Sequence, residues 1–555
     1  MTRAEFATLA GGFLVLGVIA LALVARNFEL PGLYYDEAIQ ATPALSFLEE
    51  DGDPLRIPGA SSTRVFGRWL PVMTQPYMGA LKSQLLIPTF ALFGATPSSL
   101  RATTLAWGLL GVVFSVLWVR RILDLPTALL AGALVALDPS FLFISRHDWG
   151  SFALGLVCRT GGLLLVTSGW PGARRGRLLV GGLALGLWLY NKIDFGVFLA
   201  AAALALASTS PAVLREALAS WRGRALPLAL GFSVGALPML AALGRAVATA
   251  SEFLRRADAG PPEWNEKIRT LAATLDGSYF HRLMLEGGSF ERMFEAEGAA
   301  SGPLLGVFAF SALWVGWRVV QRARAGEPDR AAAFALATAL FTIAGVLLTP
   351  GAVRIHHVLN VYPFPHLVVA IAIVGIWRLR APPDPRRIAL RAVAVALALA
   401  VLAGNIHVGR RTLATIEATG GKGRWSDALQ AFGRELEGEA GAVAVGLDWG
   451  FRAPLELTAP RLEIEEPIWR MRHVPQGGAG WELRGTARHR YLVHEAPYAV
   501  FDVGAALLEA VRDLPPGAVH IRRHLDREGD PAFVSVRFTR PHDLLYRGGF
   551  VVTLR

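Results

Sequence analysis

Long uncharged apolar runs and short polar connections alternate through the first 404 positions, and the pattern then stops. The runs lie at 6–25, 101–119, 126–144, 152–169, 177–192, 194–209, 226–244, 303–320, 331–348, 364–379 and 389–404. A helix needs about 20 apolar residues to cross a bilayer core, so these runs predict about eleven transmembrane helices. The segment Tyr190-Asn191-Lys192-Ile193-Asp194 is too polar to lie unpaired in lipid. It predicts a tight turn between two short spans, with Lys192 and Asp194 pairing across it. The first run exceeds the roughly 7–15 apolar residues of a cleaved leader and predicts an uncleaved first span.

From about 405 the pattern is that of a soluble domain. Residues 425–436 and 505–514 read as helices, and 442–447, 491–494, 519–522 and 533–538 as strands. The expected fold class is therefore a multi-pass α-helical membrane protein over 1–404, followed by a small soluble α/β domain over 405–555.

Charge gives that membrane domain a direction. Arg120-Arg121, Arg174-Arg175-Arg177 and the Arg-rich stretches 215–224, 318–330 and 378–391 all fall on one side of the predicted spans. Positively charged short loops stay in the cytoplasm, which puts the N-terminus inside and residues 405–555 outside. The 555 residues are 53% hydrophobic and only 18% charged, with mean hydropathy +0.41. That balance excludes an ordinary soluble enzyme. The net charge of +11 resides in these loops with no zinc-finger, RNP or helix-turn-helix pattern beside it. It points to membrane lipid rather than nucleic acid. The single cysteine, Cys158, lies in an apolar run and reads as a packing residue.

The outer face then carries a long loop (26–100), a short one at 147–151, a polar one at 245–302, and a loop holding His356 and His357. In the first of these, Asp36-Glu37 lies just outside the membrane, where paired carboxylates can deprotonate an acceptor or bind a divalent ion such as Mg²⁺ or Mn²⁺. Residues 77–93 read as an interfacial helix carrying Lys82. Asp148 occupies the second outer loop, in Arg146-His147-Asp148-Trp149-Gly150. Neighbouring residues on a helix or strand point apart, so one functional and one packing histidine are expected at 356–357. Asp448-Trp449-Gly450 reads as a strand-end turn.

The order of these features resembles the first outer loop of the GT-C glycosyltransferases, including the protein O-mannosyltransferases and the aminoarabinose transferase of lipid A. An early span is followed by Asp36-Glu37, then by a Pro-containing interfacial helix (Gln75-Pro76-Tyr77 to Lys82), Phe93-Gly94, and Arg101 opening the second span. The resemblance implies a polyprenyl-phosphate sugar donor, an extracytoplasmic acceptor (lipid, glycan or protein), and displacement at the anomeric carbon. It makes Asp36, Glu37 and Asp148 the catalytic candidates for an inverting displacement, with Asp36 ahead of Glu37 as the base and Asp36 and Asp148 as the pair that would share a metal. The departing phosphate needs positive charge, for which Lys82 comes first, then Arg354, His356 and His357. Asn360-Val361-Tyr362-Pro363-Phe364-Pro365-His366 resembles the span start that precedes such a site, with extra histidines. The resemblance also implies a bacterial inner membrane and a periplasmic C-terminal domain. A transporter or lipid flippase is the competing reading. Transporters place polar residues near the midplane on repeated, broken helices, whereas here the carboxylates lie at span ends and no halves repeat.

Overall fold

The computed structural model describes residues 3–49, 60–244, 264–290, 292–351, 354–379, 385–471, 481–547 and 551–554. Each predicted span falls on a helix. Six helices are long and apolar enough to cross a membrane singly, and three bent pairs bring the number to nine among the described residues. Arg175–Asn191 and Ala225–Ala241, of 17 residues each, pack closely on one another. Gly182, Gly186 and Gly231 lie against backbone carbonyls of the opposing helix there. Large apolar side chains such as Leu14, Val234 and Leu313 stay exposed, as a lipid-facing surface requires.

The third span is bent by 60° between Leu125–Ala136 and Pro139–Arg146. Asp138 caps the second half by accepting from Phe141 N at 2.9 Å, and Pro139 sits where a helix start tolerates proline. Ion pairs tie the Arg-rich ends together, Arg120 to Glu5 at 2.8 Å and Arg378 to Asp124 at 2.7 Å. The Asp36 end lies roughly 30 Å away along Pro97–Ile122, counted from Arg101 to the last turn.

The first outer loop is more ordered than its sequence suggests. It forms a three-stranded sheet of Ser61–Val65, Arg68–Gln75 and Met78–Gly79 before the interfacial helix Leu81–Phe93 begins. The expected helix start at 77 thus gives way to a strand. That strand bridges Met78 to Lys192 of the next polar turn. Of the polar loop 245–302, positions 245–263 lie outside the described residues. The rest contains helices Trp264–Leu275 and Tyr279–Leu285.

The final helix, Pro385–Thr419, runs unbroken for 35 residues and passes through position 405. Beyond it a five-stranded sheet is ordered Glu463–Glu465, Val443–Gly446, His489–Val493, Pro531–Phe538, Val519–Leu525, the first three parallel and the rest antiparallel. Alternate residues face opposite sides of a strand. Val443 and Val445 accordingly pack with Val503 and Leu507 of Val503–Ala510, and Ala444 packs with Phe432 and Leu455 on the other face. With helices on both faces, the sheet is mixed α/β, as the sequence pattern indicates. A second sheet of Trp481–Gly485, His542–Arg547 and Val551–Leu554 is an addition the pattern does not reveal.

Candidate active site

The short helix Tyr35–Ala38 gives its two carboxylates different surroundings. Glu37 is buried and held by Arg101, whose Nε and Nη2 donate to its two oxygens at 2.7 and 2.9 Å. Arg101 also donates to the carbonyls of Phe28 and Pro31, so the pair pins the loop to the second span. The Asp36 carboxylate, one residue earlier, has no hydrogen bond or ion pair among the described residues, although the Asp36 carbonyl accepts from Gln40 Nε2 at 3.1 Å. Burial pushes its pKa up to about 6, with Lys192, Arg354 and Arg424 pulling the other way. One partly buried carboxylate thus faces three cations from three separate parts of the chain.

Each cation is fixed by its own contacts. Lys192, at the polar turn, pairs with Asp194 at 3.0 Å, the expected cross-turn pair. Asp194 also lies 3.1 Å from His357 Nδ1. Arg354 is paired with Glu266 and lies over the Phe290 ring at 3.9 Å. Arg424 Nε donates to the Tyr498 carbonyl at 2.6 Å.

The expected pairing of Lys82 and Asp148 with the other candidates takes a different form. Lys82 is buried, donates to the Asp148 carbonyl at 2.6 Å and lies 3.3 Å from its carboxylate. The second Asp148 oxygen accepts from Ala153 N at 3.0 Å. This arrangement ties the interfacial helix to the second outer loop. The two histidines are also closer than neighbours on opposite sides of an element would be. Their ring centroids are 4.2 Å apart, because Ile355–Val358 is a single tight turn crowded from both sides. His356 packs against Trp149 at 6.1 Å and His357 turns to Asp194.

Aromatic rings wall the site. Trp149 is buried between Tyr34 (5.3 Å), Trp425 (5.4 Å), Phe280 (5.7 Å) and Phe290 (6.2 Å), so all the outer loops and the C-terminal domain meet on one indole. Tyr34 stacks on Trp425 with centroids 4.3 Å apart. Trp449 packs on Tyr34 and Tyr35. Asp448, the strand-end residue, is consumed structurally, accepting from the backbone of Trp449, Val500 and Phe501. The close approach depends on glycine at two points. A Cβ on Gly32 would lie 2.1 Å from the Ser426 carbonyl oxygen, and one on Gly421, at φ +91°, would lie 2.0 Å from that of Trp425.

Lys192, Arg424, Trp149, Trp425 and Trp449 are the site residues that motif reading undervalues. A weak signal exists for two of them. Arg424-Trp425 follows Gly420-Gly421 at the end of the last helix, where a glycine pair marks a sharp turn.

No protein-family profile matches the sequence, and no curated protein matches it. Solved structures do. The archaeal oligosaccharyltransferase AglB from Archaeoglobus fulgidus, in complex with an inhibitory peptide and a dolichol-phosphate, superposes with TM-score 0.52 at 14% identity, over 84% of this chain and 65% of that one. ArnT from Cupriavidus metallidurans, bound to undecaprenyl phosphate, superposes with TM-score 0.51 at 14% identity, over 97% of this chain and 98% of that one. The chain shares the fold of these two proteins. It spans about 65% of the length of the oligosaccharyltransferase and nearly all of ArnT.

The same oligosaccharyltransferase is also known in complex with Zn and sulfate, with TM-score 0.51 at 16% identity, over 82% of this chain and 62% of that one. The donor set here suits an anion better than a bridging Mg²⁺ or Mn²⁺. Asp148 is engaged by Lys82 and Ala153 N, Asp36 faces three cations, and no three His, Cys, Asp or Glu side chains cluster as a metal shell among the described residues.

Proposed function

We propose that this GT-C chain is a glycosyltransferase that moves a sugar from a polyprenyl-phosphate donor to an extracytoplasmic acceptor, with Asp36 as the base. The observation that carries the reading is the unpaired Asp36 carboxylate facing Lys192, Arg354 and Arg424, beside a neighbour, Glu37, already neutralised by Arg101. The solved GT-C structures with undecaprenyl phosphate and dolichol-phosphate support a lipid-phosphate donor.

In this mechanism Asp36 accepts the proton of an acceptor hydroxyl as its oxygen attacks the anomeric carbon. The bond to the lipid-phosphate oxygen breaks on the opposite face, and the phosphate leaves with the electron pair, so configuration inverts. Arg354 and Lys192 sit where fixed positive charge stabilises that departing phosphate, at no reorganisation cost during the reaction. His356 flanks them, and His357 orients Lys192 through their shared Asp194. Lys82 acts through Asp148, holding the second loop and with it Trp149 in place.

The test is transfer from a radiolabelled polyprenyl-phosphate sugar in membranes. Asp36→Asn should lose turnover by about 10²–10⁴-fold, the usual size of general-base assistance, while native mass spectrometry still detects bound undecaprenyl phosphate. Arg354→Ala should weaken that binding and slow transfer together. Wild-type transfer by the Asp36→Asn protein would refute the base assignment.

A further inference from the structure

At the Arg-rich end of the bundle, far from Asp36, a cleft of about 520 Å³ opens between Leu304–Arg324, Arg330–Leu348 and Phe364–Trp377. It is lined by apolar side chains, Trp314, Val315, Ile371 and Val374, and by charged ones, Asp124, Arg318, Arg322, Glu327, Asp329 and Arg378. Gly375 makes room for Trp314, since a Cβ there would lie 2.3 Å from the Trp314 ring. The cleft thus offers a lipid molecule both apolar and charged surface.

The charges are unevenly matched. Arg378 pairs with Asp124 at 2.7 Å. Arg322 is shared between Glu327 at 3.6 Å and Asp329 at 3.5 Å, so one cation serves two carboxylates. Arg318 has no carboxylate partner among the described residues and rests over the Trp314 ring, 5.3 Å from its centroid. A cation without an anion and a carboxylate without a full cation therefore line one cleft. Pockets between membrane helices that carry basic residues can hold lipid headgroups, and this one carries complementary charges of both signs.

We propose that the cleft is a binding site for a phospholipid with a phosphoethanolamine headgroup. The phosphate sits on Arg318, the ammonium on the Glu327 side of the cleft, and an acyl chain lies along Trp314, Ile371 and Val374. A glycerol headgroup would satisfy Arg318 but leave the carboxylate without its cation. A choline headgroup would present a methylated ammonium that cannot donate hydrogen bonds to it. The site stands independently of the transferase reading.

The full-length protein would be assembled in nanodiscs of equal parts phosphatidylethanolamine, phosphatidylglycerol and phosphatidylcholine, then released for native mass spectrometry. Phosphatidylethanolamine should be retained preferentially. Arg318→Ala should lower its retention about fivefold, the effect expected of one interfacial charge, whereas Arg324→Ala, off the cleft, should not. Glu327→Gln should keep phospholipid bound but erase the preference for ethanolamine over choline. A phosphatidylethanolamine carrying a photoreactive acyl chain should label the peptides around 314–322 and 371–379. Uniform labelling of the membrane belt, equal retention of phosphatidylcholine, or an Arg318→Ala protein indistinguishable from Arg324→Ala would each overturn the proposal.

Discussion

Asp36 and Glu37 are chemically near-identical neighbours with opposite fates, and the difference lies in what each meets across space. Glu37 meets a guanidinium 64 residues away in sequence and becomes a structural anchor. Removing one partner of a buried ion pair costs about 3–5 kcal/mol, so Glu37→Ala should lower the thermal midpoint markedly in detergent. Asp36→Asn should not lower it, and above pH 6 should raise it, because the ionised buried carboxylate costs stability there. The pH dependence follows from Asp36. Burial raises its pKa to about 6, and only the ionised form can act as base. Transfer (kcat/KM) should therefore be flat above pH 6 and fall about tenfold per unit below it. Lys192 is the leading influence that lowers this pKa, so Lys192→Met should move the inflection upward. Chelator should leave turnover unchanged, and a loss restored by Mg²⁺ or Mn²⁺ would return a metal to the scheme. The pair itself was legible in the sequence. Which member is free was not, because that depends on Arg101 and on cations from distant loops.

Elements whose own residues set their structure were the readable ones. The eleven apolar runs all became helices, and the strand at Val443–Gly446 is buried at every position, as its wholly apolar sequence indicates. The hairpin at 61–75 was not readable. Pro71 sits inside its second strand, which argues against a strand on sequence grounds. Its two-residue turn is Phe66-Gly67, both at positive φ, where Asn-Gly would be the expected signal. Also hidden was the docking of the helix Arg452–Thr458 onto the first loop. Beside that docking lies Glu466, which accepts from Trp469 Nε1 at 2.6 Å, and burial pushes its pKa up to about 7. A free glutamate titrates near 4.3, so between those values the folded state binds the extra proton and stability falls as pH rises. The loss is complete above pH 7. Glu466→Gln escapes it, so its gain in thermal midpoint over wild type should grow from pH 4.5 to pH 8. A gain independent of pH would contradict the assignment.

For the molecule as a whole, the Arg-rich loops share one end and the Asp36 site the other, which the distribution of arginine along the chain already indicated. Reporter fusions after Gly404 should register an extracytoplasmic location, and a cytoplasmic signal would remove the site from the side where its acceptor is proposed to lie. What no pattern indicated is that the C-terminal domain supplies Arg424, Trp425 and Trp449 to that site. The helix beneath it has a mechanical consequence. Pro385–Thr419, at 35 residues, is roughly 52 Å long against a hydrocarbon core of about 30 Å, and only the closely packed Gly420-Gly421 turn separates it from the domain. It behaves as a keyed shaft, setting azimuth and elevation together. One residue inserted near 408 would turn the domain by about 100° and raise it about 1.5 Å. Seven residues would return the azimuth to within about 20° but lift the stack of Trp425 from Tyr34 by about 10 Å.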